Sequence, residues 1–373
     1  MREAVRPRER VLRALSHREA DRPAFAWGFG PQPPARAALN AFLGQWDLDY
    51  DALFAATSDV RRFNLAYAGP PLPPRTSPWG WTVKPTSYGI GSYDEFDHQP
   101  LATAETVADV ESHPWPDPDH FDYAAVLPAI RQADPDRRFA RVLGGGNPLE
   151  TLSWMMGLQK TLVFLLDRPD VIRAAMERIV SFYESRLHRV AMACPGEFDT
   201  VFCADDLGTQ HGPMIGRSTY REIIMPYHRR MCAAAREVAP FVQHHSDGSV
   251  AGLLDDLIEA GVDCLEAVQV DCADMDPEGL KARFGDRLAF QGAVSVQQVL
   301  PRQSAPQVRE EVRRLKRILG AGGGYICAPS HAVQAGTPPE NVVAMVEEAV
   351  ECSIEDIGRR VTDLRAPSPS RSP

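Results

Sequence analysis

Short apolar runs alternate along this chain with longer segments whose apolar residues recur every three or four positions. The runs are PAFAWG (23–28), SDVRRFN (58–64), RFARVLGGGN (138–147), DTVFCADD (199–206), FVQHHSD (241–247), DCLEAVQ (263–269), LAFQGAV (288–294) and GGYICAPSH (323–331). Short and bounded by turn residues, they predict buried strands. Between them lie helix-period stretches such as DRPDVIRAAMERIVSFYESRLHRVAM, STYREIIMPYHRRMCAAAREV and PPENVVAMVEEAVEC. Strands that alternate with helices pair in parallel through right-handed crossovers. Eight of them close a (β/α)8 barrel, so the expected fold is α/β of the TIM type.

Additions to the barrel are also predicted. Val11, Leu12 and Leu15 share one face of a helix in RPRERVLRALSHREADRP, which gives an N-terminal helical extension ended by Pro23. Pro71–Pro118 is rich in proline and aromatics, and reads as an excursion with a hairpin around Trp79–Val83 and a helix near 103–112. Long loops beside barrel strands tend to carry function. This one is expected to cover the barrel mouth, with Trp79 against substrate. Residues 1–365 are expected to form one domain, and APSPSRSP (366–373) a disordered tail.

Composition narrows the function. The 373 residues carry a net charge of −10 and no long basic run, which argues against nucleic acid or an anionic membrane as partner. No apolar run approaches the ~20 residues that span a bilayer. Seven scattered cysteines form no CxxC pair, which suits a reducing cytoplasm rather than a disulfide framework. A small-molecule substrate is expected.

Barrel enzymes place their chemistry at the carboxyl ends of the strands. Here the runs close on Asp59 and Arg61, Asn147, Asp205 and Asp206, His245 and Asp247, Glu266, Gln291, then Cys327 and His331. His-x-Asp puts His245 and Asp247 on one strand face, since strand side chains alternate. With Glu266 and Cys327 they offer imidazole, carboxylate and thiolate, donors that zinc accepts in a tetrahedral shell. His244 is expected to face away and pack. Asp206, His211 and Asp59 are candidate catalytic groups. Arg61, Asn147, Gln210, Gln291, Tyr325, His331 and Trp79 are candidate substrate contacts.

RERVLRALSHREADRP, DDLGTQHGPMIGRSTYREIIMPYHRRM, HHSDGSVAGLLDDLIEAGVDCLEAVQ and GGGYICAPSHAVQAGTPPENV resemble the uroporphyrinogen decarboxylase superfamily, over about residues 7–353. The resemblance implies a distorted (β/α)8 barrel and one of two chemistries. True uroporphyrinogen decarboxylases carry an arginine-rich stretch of the MRQAGRY type that receives propionates. The corresponding FAWGFGPQPPARAAL lacks those arginines, which disfavours porphyrinogen decarboxylation. The other branch consists of zinc-dependent methyltransferases that move methyl groups between corrinoid proteins and thiols or folates. Their His-x-Cys, then Glu, then late Cys pattern is matched by His245, Glu266 and Cys327. Asp247 stands where that pattern has cysteine, a hard donor in place of a soft one, which brings manganese or ferrous iron closer to zinc in suitability. The expectation is therefore a metal-dependent methyltransferase with zinc or another divalent cation and a corrinoid or folate methyl donor, a corrinoid protein being a candidate partner. The alternative is a decarboxylase acting on a small carboxylate.

Overall fold

The structure is a computed structural model that describes residues 5–365; the expected disordered tail at 366–373 lies outside them. Each of the eight apolar runs forms a strand: β1 (Ala24–Phe25), β2 (Val60–Phe63), β5 (Ala140–Gly146), β6 (Thr200–Ala204), β7 (Phe241–His245), β8 (Cys264–Val268), β9 (Ala289–Val294) and β10 (Tyr325–Pro329). β3 (Thr82–Ser87) and β4 (Ser92–His98) make a separate antiparallel hairpin. The eight pair in the order β1-β10-β9-β8-β7-β6-β5-β2, all in parallel. Parallel neighbours need a crossover, and helices such as Pro169–Ala193, Met225–Val238, Pro277–Phe284 and Ala305–Leu319 supply it.

Strand alternation divides the core in two. Ala24, Ala26, Ala140, Cys264, Ala289, Ile326 and Ala328 point inward and form one apolar cluster with Val11, Ala14 and Leu15 of the first helix, Pro7–Leu15. The predicted N-terminal extension therefore plugs the amino end of the barrel. Phe25, Leu143, Val201, Val242, Leu265, Phe290, Tyr325 and Cys327 belong to the larger cluster between sheet and helices.

Asp59 closes the barrel at that same end. Its N–H donates to Phe25 O (2.8 Å), and its carboxylate accepts from Phe25 N (2.8 Å), so β1 and β2 are stitched where no strand ladder joins them. Arg10 Nη1 (2.8 Å) and Arg22 Nη1 (3.1 Å) donate to the same carboxylate. Asp59 precedes β2 rather than ending it. It is therefore a clasp at the amino face, remote from the catalytic face, and its expected catalytic role is corrected.

The excursion contains the hairpin, displaced a few residues beyond the expected Trp79–Val83, and a helix at Val107–Glu111 opened by a Thr106/Asp109 capping box. Ile90 at the hairpin tip lies beside Gly336 of the loop after β10. Trp79 does not line it. That ring is buried against Phe182 (centroids 4.7 Å apart), Tyr183 and Trp115, holding the excursion to the helix Pro169–Ala193. No described helix is long and apolar enough to cross a membrane.

Candidate metal centre and adjoining cavity

At the carboxyl ends of the strands His245 closes β7, Asp247 follows in the turn to the next helix, and His331 stands two residues beyond β10. One donor atom from each of the three lies within 4.8 Å of the others. His245 Nε2 is 3.7 Å from Asp247 Oδ1 and 3.7 Å from Asp206 Oδ1; His331 Nε2 is 3.6 Å from Asp247 Oδ2.

Glu266 sets the orientation of His245. Its Oε2 lies 2.6 Å from His245 Nδ1, and both side chains are buried. Such a contact fixes the ring and turns Nε2 toward the cluster, the arrangement by which carboxylates orient metal-binding histidines. Burial pushes the His245 imidazole down, but Glu266, then Asp247 and Asp206, outweigh it and raise its pKa to about 9. An imidazolium drawn up by this much surrounding negative charge marks a place where a cation is favoured. The residues fit a divalent cation: His245, Asp247 and His331 give a two-histidine, one-carboxylate set that leaves coordination positions open.

The other members of the expected ligand set sit differently. Glu266 Oε1 has no hydrogen-bond partner, while Oε2 is spent on His245, so Glu266 supports the ligand histidine. Cys327 belongs to the outer cluster with Tyr325, whereas its neighbours Ile326 and Ala328 point inward. The structure does not bring it to the cluster, and burial raises its thiol to about 11. His331 brings the third donor atom to the cluster instead. His244 faces away as expected; its ring lies 5.2 Å from that of His228 on the crossover helix, and burial holds its pKa well below the ordinary range.

Beside the cluster is a cavity of about 440 Å³ lined by Phe29, Asn64, Asn147, Glu150, Trp154, Tyr183, Arg186, Phe202, Asp206, His245 and His331. Its volume suits a small ligand. Phe29 packs against both histidines with centroids 5.0 Å from each, edge-to-face on His245 and tilted against His331. Asn147 and Asp206 thus lie in the cavity wall as expected. Asp206 also anchors the turn, accepting from Asp247 N at 2.8 Å.

Several expected contacts lie elsewhere. Arg61 points outward, donating to backbone oxygens of Ser58, Val60 and Ala55 and stacking on Phe139. Arg62, one residue on, points inward over Phe202 and senses the charge of Glu266. Tyr325 is buried in the helix-facing layer, donating to Gly292 O. His211 and Gln210 sit on an exposed turn spanned by Thr209 and Gly212. Gln210 reaches only Cys272 and the Ala273 backbone N–H. Gln291 is buried on the inner face of β9 and is not part of the cavity wall.

Two charged residues of the cavity wall, Glu150 and Arg186, are not among the candidates that the sequence offers. Glu150 lies in the first turn of the helix Pro148–Met156, directly after the glycine end of β5. Burial, then Asp205 and Asp206, raise its pKa to about 8, so it holds a proton at neutral pH. Asp205 itself is buried, accepting from Glu150 N and from His228 Nε2. A carboxyl four residues past the glycine end of β5 is the signal for Glu150 in the sequence. For Arg186 there was none, since one arginine on a charged helix has no mark in the sequence.

The chain matches the family described as Uroporphyrinogen decarboxylase (URO-D) over residues 78–352. It is 23% identical over 288 residues to the uroporphyrinogen decarboxylase of Azotobacter vinelandii, covering 73% of this chain and 76% of that one. The enzyme of the same name from Ectopseudomonas mendocina is equally similar, at 23% over 288 residues, with 72% and 76% covered. Among solved structures, a methyltransferase from Methanosarcina mazei superposes with a TM-score of 0.67 and 16% identity, over 94% of this chain and 99% of that chain.

Proposed function

Because this chain belongs to the uroporphyrinogen decarboxylase family and gathers His245, Asp247 and His331 at its barrel mouth, we propose that it is a metal-dependent methyltransferase acting on a small molecule. The convergence of those three donors, with Glu266 locking His245, carries the reading. The solved methyltransferase of the same fold supports it. Bound there, zinc or another divalent cation lowers the pKa of a thiol or similar heteroatom and presents it as a nucleophile. Phe29 and Phe202 pack against His245, and Asn147 and Tyr183 lie in the cavity wall. The methyl donor enters from the open mouth beneath the hairpin; a corrinoid protein or a methylated folate fits that role.

The test is elemental analysis of protein purified without added metal, with methyl transfer from methylcobalamin to a set of thiols measured in parallel. Near-stoichiometric metal and transfer, both lost in His245→Ala and His331→Ala, are expected. Wild-type protein that stays metal-free after loading with zinc, manganese and ferrous iron would refute the reading.

One observation favours a second reading, a decarboxylase. The protonated Glu150 carboxyl lies in the same cavity and could return a proton to the carbanion left by loss of carbon dioxide. Carbon dioxide release without a methyl donor, unaffected by chelator and abolished in Glu150→Gln, would select it.

A further inference from the structure

Arg186 lies on the cavity-facing side of the helix Pro169–Ala193 and forms part of the cavity wall. Several buried or half-buried guanidinium groups in this protein have anionic partners: Arg10 has Asp21 and Asp59, Arg141 has Asp134 and Glu197, Arg230 has Glu177 and Glu184, while Arg61 donates to backbone oxygens instead. Arg186 makes no hydrogen bond or ion pair with any described residue, and its Nε is buried without a partner. The neighbours that hold it are rings. Its guanidinium carbon lies 4.5 Å from the centroid of Phe121, 5.6 Å from Phe182 and 5.8 Å from Tyr183. Aromatic faces fix the plane of the cation but accept no N–H bonds in that plane.

A desolvated guanidinium without a counter-charge is costly to keep. Replacing it with an apolar residue would stabilise the empty protein, unless something the protein binds completes the pair. The donor fork suits a planar, two-oxygen acceptor. We propose that Arg186 is the anion-binding residue of the substrate site, receiving a carboxylate of the small molecule whose reacting atom lies toward His245 and His331. The cavity takes a ligand with two ends: an anionic group at Arg186 and a nucleophilic or scissile group at the histidine–aspartate cluster. Asn147 and Tyr183 lie in the same wall, where Tyr183 Oη donates to Asn147 Oδ1 at 3.1 Å. This rests on the reading of the cavity as the substrate site. It does not depend on which reaction occurs there.

The test is calorimetric titration of metal-stripped protein, so that no probe can bind through a cation. The probes are acetate, succinate, glutarate and benzoate, with succinamide as the uncharged match for succinate and with sulfate and phosphate as other anions. At least one carboxylate should bind saturably. Arg186→Met should weaken it by about tenfold or more and Arg186→Lys by less, because an ammonium keeps the charge and loses the fork. Arg186→Met should also be no less heat-stable than wild type when no anion is present. Failure of every carboxylate to bind, equal binding by Arg186→Met, equal binding of succinamide, or binding of sulfate and phosphate alone would each overturn the proposal. His245→Ala separates the two readings. Lost metal with carboxylate binding kept counts against neither the subsite nor its residue, whereas lost carboxylate binding in Arg186→Met with metal kept leaves the metal centre standing.

Discussion

Asp59 holds β1 and β2 together as a structural clasp rather than as an active-site carboxylate, a distinction that Asp59→Ala can decide. The carboxylate is 2% exposed and accepts from Arg10 Nη1, Arg22 Nη1 and the N–H of Phe25. Removing one partner of a buried pair costs about 3–5 kcal/mol, because the remaining charge is stranded. Arg10 keeps Asp21 at 2.8 Å on two nitrogens, which moves the estimate to the lower end. A loss of about 3 kcal/mol shifts the melting temperature of a chain this size by roughly 4 °C. Asp59→Asn keeps an acceptor for Phe25 N and should lose less. Differential scanning calorimetry reads the shift; metal content and carboxylate affinity, measured below the transition, should equal those of wild type. A variant melting within about 1 °C of wild type, yet devoid of metal or of turnover, would refute the clasp and return Asp59 to the chemistry.

Four further outcomes follow from the same geometry. Glu266→Gln should weaken metal binding by about 10- to 100-fold with the fold intact, because it orients a ligand histidine; a metal-buffered titration measures this. Cys327→Ala should keep full metal content by elemental analysis and lose only about 1 kcal/mol of stability. Glu150 has its folded pKa raised to about 8 from an ordinary 4.5. The native state therefore holds the extra proton, and this stabilising contribution is complete below pH 4.5 and lost as pH rises through about 8. Urea denaturation from pH 5 to 9 should accordingly show Glu150→Gln gaining on wild type as pH rises. Limited proteolysis should cut the hairpin tip near Ile90 more slowly when a cavity ligand is bound, since the tip lies against the loop that carries His331.

The strands could be read from the sequence because each is a short apolar run between turn residues, and this held even where the spacing was irregular. β1 is only two residues long, yet PAFAWG located it. The direction in which each side chain points was harder. A strand buried on both faces has apolar residues at every position, so GGYICAPSH does not show which of Ile326 and Cys327 faces the barrel axis. In FVQHHSD the polar residues break the tie, because two adjacent histidines on a strand must face opposite ways. That is why His244 and His245 were separated correctly while Cys327 was not. Arg61 and Arg62 pose the same question as the histidines. There the run VRRF has no residue that marks the inner face, and the phase was taken one position out.

The last ligand shows how the cluster can differ from the pattern it resembles without losing its place. A cysteine on the inner face of β10 would reach the mouth directly. Here the inner positions are Ile326 and Ala328, which pack with the first helix and fill the barrel. The strand is thereby committed to the plug, and the donor must come from beyond it. His331, two residues past Pro329, has the longer side chain, and its Nε2 reaches to 3.6 Å from Asp247. Asp247 in place of cysteine and imidazole in place of thiolate are changes of one kind, both removing soft sulfur from the centre. Together they leave nitrogen and oxygen donors only, a set that zinc, manganese and ferrous iron all accept. Metal identity is then decided by geometry and supply rather than by thiolate affinity. If that holds, Asp247→Cys alone should not make the centre zinc-selective, because its partner His331 remains; competition among the three metals, read by elemental analysis, would show selectivity only if a thiolate at a single position were sufficient.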